Sequence, residues 1–183
     1  MEYIGERISI KQKENELSIV ILSFKNKTKN ILLLSWLILW SLSGLLVIFQ
    51  YSSILDQNTK AAIIVWMGFW AYFEYIIARS FLWRKSGKEI IKLRGNKIFY
   101  KRHIGRKSKI KVYEYEFIKD FKIIDARENS FFENLNNSYW VIAGEKLVFD
   151  YYGKEIKIGI QLPDADAELL KKRIEKEIKK VLI

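Results

Sequence analysis

The chain has 183 residues, a net charge of +11, no cysteine and one histidine, His103. Those counts exclude a disulfide framework, a thiol nucleophile and a Cys-based zinc site, and they leave almost no material for a His-ligated metal or a Ser-His-Asp triad. The basic balance is uneven: residues 84–183 hold 24 Lys/Arg against 15 Asp/Glu, and residues 1–83 hold 8 against 6.

Met1-Glu-Tyr-Ile-Gly-Glu-Arg carries acidic residues where a secretory signal would be basic, so no cleaved leader is predicted. Ile8 and Ile10 alternate with polar residues, Lys13-Glu-Asn-Glu turns, and Leu17 to Phe24 is rich in β-formers. This reads as a β-hairpin within an N-terminal segment, residues 1–30. A lone hairpin is marginal in water, so it should join another sheet or lie on a neighbour.

Two apolar runs follow, 31–50 and 61–83, each near the roughly 20 residues that cross a bilayer as a helix. They predict an antiparallel transmembrane hairpin over 31–83. Lys25, Lys27 and Lys29 flank one end, and Arg79, Arg84, Lys85 and Lys88 flank the same end from the second run. The connecting loop, Gln50 to Lys60, holds only Asp56 and Lys60 as charged residues. An excess of Lys/Arg marks the cytoplasmic side, so both termini are expected in the cytoplasm. Trp36, Trp66, Trp83 and Tyr51 fall where interfacial aromatics are expected, whereas Trp40 and Trp70 lie deeper and read as packing residues.

Glu74 is the anomaly of the second run. It stands about nine residues, roughly 13 Å at 1.5 Å per residue, from the cytoplasmic end. An ionisable group at that depth is expensive and marks a candidate site. Ala71 and Ala78 share its helix face and allow a close helix approach, and antiparallel pairing brings Ser35 and Ser41 within a turn of it. Three readings stay open: a protonated Glu bonded to a serine such as Ser41 within the hairpin, a contact with a partner's transmembrane helix, or a proton path. Arg79, five residues on, is poorly spaced to pair with Glu74 and reads as an interfacial anchor.

From Gly87 the pattern changes to period two. Strands are predicted around Ile90–Leu93, Lys97–Ile104, Lys109–Phe117, Ile118–Ile124, Tyr139–Ala143, Lys146–Tyr151 and Glu155–Ile160. After Pro163, Asp164 reads as a helix N-cap, and Leu170, Ile174, Ile178 and Val181 form an apolar stripe. Asp164, Asp166 and Glu168 are assigned to the helix start, where the dipole favours negative charge. Seven strands and a terminal amphipathic helix, over 84–183, give the order of a pleckstrin-homology (PH)-like sandwich or barrel. The fold class is therefore membrane α+β, with this domain behind a two-helix hairpin.

Lys101, Arg102, Arg106, Lys107 and Lys109 cluster around one turn and form the second candidate, a surface for anionic lipid or a partner. A solvated lysine-rich strand pair accounts for the same residues. Basic residues near a membrane gain about 1 kcal/mol each from anionic lipid. The tyrosine pairs Tyr113/Tyr115 and Tyr151/Tyr152 read as core and rim aromatics, and nucleic acid is not expected as a partner.

Trp83-Arg-Lys-Ser-Gly-Lys-Glu-Ile-Ile91, Tyr113-Glu-Tyr-Glu-Phe-Ile-Lys-Asp-Phe121 and Phe149-Asp-Tyr-Tyr-Gly-Lys-Glu-Ile156 carry a resemblance, which runs on through Gly159-Ile-Gln-Leu-Pro-Asp-Ala-Asp-Ala-Glu168. Over most of its length the chain resembles a group of small bacterial membrane proteins with two spans and a cytoplasmic PH-like domain. The resemblance implies a bacterial inner membrane and this architecture, and it transfers no catalytic residue. The expected function is a non-enzymatic, membrane-anchored interaction module, an accessory subunit of a larger inner-membrane complex. Its expected partners are membrane lipids and another integral membrane protein, with a homo-oligomer possible and no cofactor or metal. The alternatives are an anionic-lipid sensor acting through the basic hairpin and a minor transporter or channel component using Glu74.

Overall fold

The computed structural model describes residues 1–54, 56–105, 108–124 and 142–182. Its elements run β1 (Glu2–Ile4), β2 (Ile8–Lys13), β3 (Glu16–Leu22), α1 (Lys27–Tyr51), α2 (Gln57–Ser86), β4 (Lys88–Arg94), β5 (Lys97–His103), β6 (Ile110–Glu114), β7 (Ile118–Ile123), β8 (Glu145–Tyr151), β9 (Lys154–Ile160) and α3 (Asp164–Leu182). The class is α+β, with antiparallel sheets.

Strands β1 to β6 form one six-stranded antiparallel sheet in sequence order, and β7 to β9 form a second sheet of three. The β-rich run before the first helix therefore does not stand apart. β3 pairs with β4 from Glu16↔Arg94 through Leu22↔Lys88, and the Ser23 N–H donates to the Gly87 carbonyl at 3.1 Å. The helical hairpin is an excursion between two neighbouring strands, and both of its ends return to one place. Boundaries drawn at 30/31 and 83/84 fall inside the helices. Lys27, Lys29, Arg84 and Lys85 extend the helices beyond the apolar runs, since long basic side chains can cover apolar surface with their stems.

Period-two alternation sorts the sheet's residues. Ile8, Ile10, Leu17, Ile19, Ile21, Ile91, Leu93, Ile98, Tyr100 and Tyr113 face inward and are buried. Leu147, Phe149 and Ile158 oppose them from the second sheet, and Ala167, Leu170 and Ile174 of α3 complete the same cluster. Each fully buried aliphatic side chain contributes about 1.5–3 kcal/mol. Val181, the last residue of the predicted stripe, is 47% exposed. The first α-helical bond of α3 runs from the Ala167 N–H to the Pro163 carbonyl, so Asp164 is its first residue rather than its cap. The Asp164 carboxylate instead pairs with Lys146 at 2.7 Å.

The two long helices pack side by side, and each is long and apolar enough to cross a membrane. Asn26 caps α1 by accepting from the Lys29 N–H at 3.0 Å, and Asp56 caps α2 by accepting from the Thr59 N–H at 2.7 Å. Trp83 is turned into the protein. It is 2% exposed and packs under Gly87, where a Cβ would lie 2.3 Å from its ring. Of the predicted Tyr139–Ala143 strand, residues 139–141 lie outside the described residues.

Candidate functional site

Where α2 meets the sheets there is a polar joint that hydrophobic patterning does not reveal. Glu89 follows the helix by three residues, shares strand parity with Ile91 and Leu93, and is wholly buried. Its Oε1 accepts from the Tyr100 hydroxyl at 2.7 Å and from Arg102 at 3.2 Å (Nε) and 3.1 Å (Nη2). Its Oε2 accepts from the backbone N–H groups of Gly159 (2.8 Å) and Ile160 (3.2 Å) on β9. One carboxylate thus fastens the six-stranded sheet to the three-stranded one.

Arg102 also reaches Glu145 at 2.9 Å. Burial opposes its charge, yet Tyr100, Glu89 and Glu145 together raise its pKa. Burial first, and then the Glu89 charge, push the Tyr100 hydroxyl well above its ordinary value. From the β1–β2 turn, Arg7 donates to the carbonyls of Leu22 (2.8 Å), Ile160 (3.0 Å) and Gln161. Burial lowers the Arg7 pKa and nearby Arg84 adds to the effect, while Glu89 and Asp166 oppose it. Arg84, on the last turn of α2, is buried and reaches the Gln161 side chain at 3.4 Å, and its carbonyl accepts from the Ser23 hydroxyl at 3.2 Å. Helix, sheet and second sheet are thereby tied at one point. A carboxylate held by five donors is a strut, not a reactive group.

The seam between α1 and α2 brings Glu74 and Ser41 together. The Ser41 hydroxyl lies 2.7 Å from Glu74 Oε1, and Glu74 Oε2 is enclosed with no partner among the described residues. Ala71 is exposed, while Ala78 borders a groove beside β5. Trp40 and Trp70 sit beside the Ser41–Glu74 pair in the same seam.

The basic hairpin divides as well. Arg102 is committed to Glu89 and Glu145, so it is not a free surface charge; only the strand register with Glu89 and the remote Glu145 disclose this. Lys101 is half-buried on the outer face, Lys109 is exposed, and Arg106 and Lys107 lie outside the described residues. Arg79 is exposed, with its guanidinium 3.4 Å from the Tyr75 hydroxyl.

The outer face of the large sheet carries an apolar patch that sequence reading did not assemble. Register places Val20 beside Ile90, Ile90 beside Lys101 and Lys101 beside Ile110, with Phe99 and Val112 paired in the adjacent row. Ile110 is 61% and Val112 44% exposed, on a strand that pairs on one side only among the described residues. Among the described residues no group of acidic, His or Cys side chains is placed to hold a metal ion. Compared with protein-family models, curated proteins and solved structures, the chain matches none.

Proposed function

We propose that this chain is a non-enzymatic, membrane-anchored interaction module, an accessory subunit of a larger bacterial inner-membrane complex with both termini in the cytoplasm. One observation carries the reading: Ile110 and Val112 are exposed on β6, an edge strand among the described residues, next to Phe99 and Ile90 on the same face. An edge strand presents unpaired backbone donors and acceptors, and proteins ordinarily blunt or cover such an edge. A partner's extended segment adding beside β6 would satisfy the edge and cover the patch. The PH-like reading rests on the order of strands and a terminal helix in 84–183; antiparallel sheets followed by α3 support it. The β3–β4 pairing supports a hairpin whose two flanks share one side of the membrane, and the Lys/Arg bias makes that side the cytoplasm.

The test is gentle extraction of the tagged chain at native expression, with quantification of stoichiometric partners. Val112→Lys and Ile110→Lys should release the partner while leaving the thermal midpoint of the isolated chain in place. A partner retained at full stoichiometry by both variants places the contact elsewhere, and a chain that purifies alone overturns the subunit reading. Sensing of anionic lipid is a second reading, favoured by Arg79 and Lys109, which line one groove and have no carboxylate within ion-pair distance among the described residues.

A further inference from the structure

We propose that one anionic phospholipid seats in the groove that the end of α2 forms with Ile104, Ser108 and Lys109. The proposal rests on the reading that α1 and α2 cross a membrane. The groove has a volume of about 440 Å³, within the about 300–1,000 Å³ usual for small-molecule sites. One wall is apolar, made by Ala78, Leu82 and Ile104. Arg79, Lys109 and Ser108 also line it and supply cationic and polar groups.

Position argues for a lipid. Arg79 lies four residues before the end of the apolar run 61–83 and precedes Arg84 by five residues, roughly 7.5 Å along the axis. Arg79 therefore stands where hydrocarbon gives way to headgroups; Tyr75 and Ala78 line the groove on its bilayer side and Leu82 on the side of the sheet. Charge argues for an anionic one. Arg102 also borders the groove, but Glu89 and Glu145 occupy its guanidinium. Arg79 and Lys109 have no carboxylate within ion-pair distance among the described residues. Two unpaired cations and a hydroxyl suit a phosphodiester of net negative charge, and the apolar wall takes the first methylenes of an acyl chain. A zwitterionic headgroup would set its own ammonium beside the same two cations.

The experiment uses the full chain, extracted from membranes and examined by native mass spectrometry with added phosphatidylglycerol or phosphatidylcholine. Resistance of the chain to alkaline carbonate extraction is measured first; release into the soluble fraction would overturn the membrane premise independently of the groove. We expect one phosphatidylglycerol per chain to survive activation that strips phosphatidylcholine. Arg79→Gln with Lys109→Gln should weaken it about thirtyfold, from two basic contacts. Ala78→Phe keeps both charges but fills the apolar wall, and it should also weaken retention. Lys11→Gln with Lys13→Gln removes the same charge from exposed residues of β2 and should change nothing. Equal retention of both lipids, an unchanged double variant at the groove, an unaffected Ala78→Phe, or equal loss in the β2 control would each overturn the seat.

Discussion

Trp40 and Trp70 hold each other's backbone across the helical seam: the Trp70 indole N–H donates to the Trp40 carbonyl at 2.9 Å, and the Trp40 indole N–H approaches the Trp70 carbonyl at 3.4 Å. An indole N–H enclosed by apolar neighbours needs an acceptor, and here each ring finds one on the opposite helix. Gly44 makes the approach possible, since a Cβ there would lie 2.2 Å from the Trp70 ring. The two helices are therefore locked in register where Ser41 meets Glu74.

That register governs what Glu74 variants should do. Glu74→Gln keeps a hydrogen-bonding group of the same size beside Ser41 and should leave hairpin stability and partner binding unchanged. Glu74→Leu removes a costly polar group and leaves only a serine hydroxyl, which can bond back to its own helix, so its effect should stay within about 1 kcal/mol. Thermal unfolding in detergent and partner co-purification measure both. Loss of the partner in Glu74→Gln would move the contact from the seam to another chain, and intact assembly with lost transport would give the residue a proton to carry.

Glu89 should be far less tolerant. Glu89→Ala leaves the Gly159 and Ile160 N–H groups and part of Arg102 without their acceptor. Breaking a buried pair from one side costs about 3–5 kcal/mol. Chemical unfolding followed by tryptophan emission should show that loss, with proteolysis first cutting near β9. Glu89→Leu combined with Arg102→Leu should recover part of it, because neither residue then strands the other's charge.

The connection between β3 and β4 predicts a soluble form. Residues 1–24 joined through a short Gly-Ser linker to residues 87–183 should fold without the helices, since Ser23 and Gly87 are already hydrogen-bonded neighbours. Residues 87–183 alone lack β1 to β3 and with them Ile8, Ile10, Leu17, Ile19 and Ile21 of the core. That shorter piece should aggregate or stay unfolded. Circular dichroism and amide-proton dispersion distinguish the two, and a well-folded 87–183 fragment would contradict the shared core.

Alkali should act through Tyr100. Its hydroxyl is held above the ordinary value of 10.0, first by burial and then by Glu89. The unfolded chain releases this proton near pH 10, while the folded chain keeps it to higher pH. Stability is therefore intact below pH 10 and falls beyond it, by up to about 1.4 kcal/mol per pH unit from this group. Tyr100→Phe should be less stable at neutral pH but lose stability more slowly above pH 10. Urea midpoints at pH 8, 10 and 11 check the slope, and parallel slopes for the two chains would assign the loss to other groups.

Much of this was legible from residue pattern alone. The apolar runs gave two long helices, alternation and glycine turns gave β4, β5, β8 and β9, and the Leu170–Ile174 spacing gave α3. The joint was not legible in the same way, because its donors come from residues 100, 102, 159 and 160, and local periodicity carries no record of remote partners. One signal was present: Glu89 has the parity of Ile91 and Leu93, which aims a carboxylate into the core. Arg102 was misread for the complementary reason. It sits in a lysine-rich stretch, while its partners lie on β4 and β8. The sixfold sheet was obscured by the helices that separate β3 from β4.

Synthesis meets that separation in time. β1 to β3 leave the ribosome before either helix, and β4 leaves after both, so Leu17 to Phe24 must wait while both helices are made. At roughly 5–20 residues per second the wait lasts seconds. During it the chain exposes an uncharged, β-rich run with one edge unpaired, the composition that favours pairing with other chains. Lys11 and Lys13 before the run, and Lys25 and Lys27 after it, are the flanking charges that discourage such pairing. On the proposed reading that α1 and α2 cross a membrane, the sheet then closes only if the chain returns to the side from which it started. Correct threading would thus be a precondition for folding outside the membrane, and a chain threaded once instead of twice would leave β3 without its neighbour.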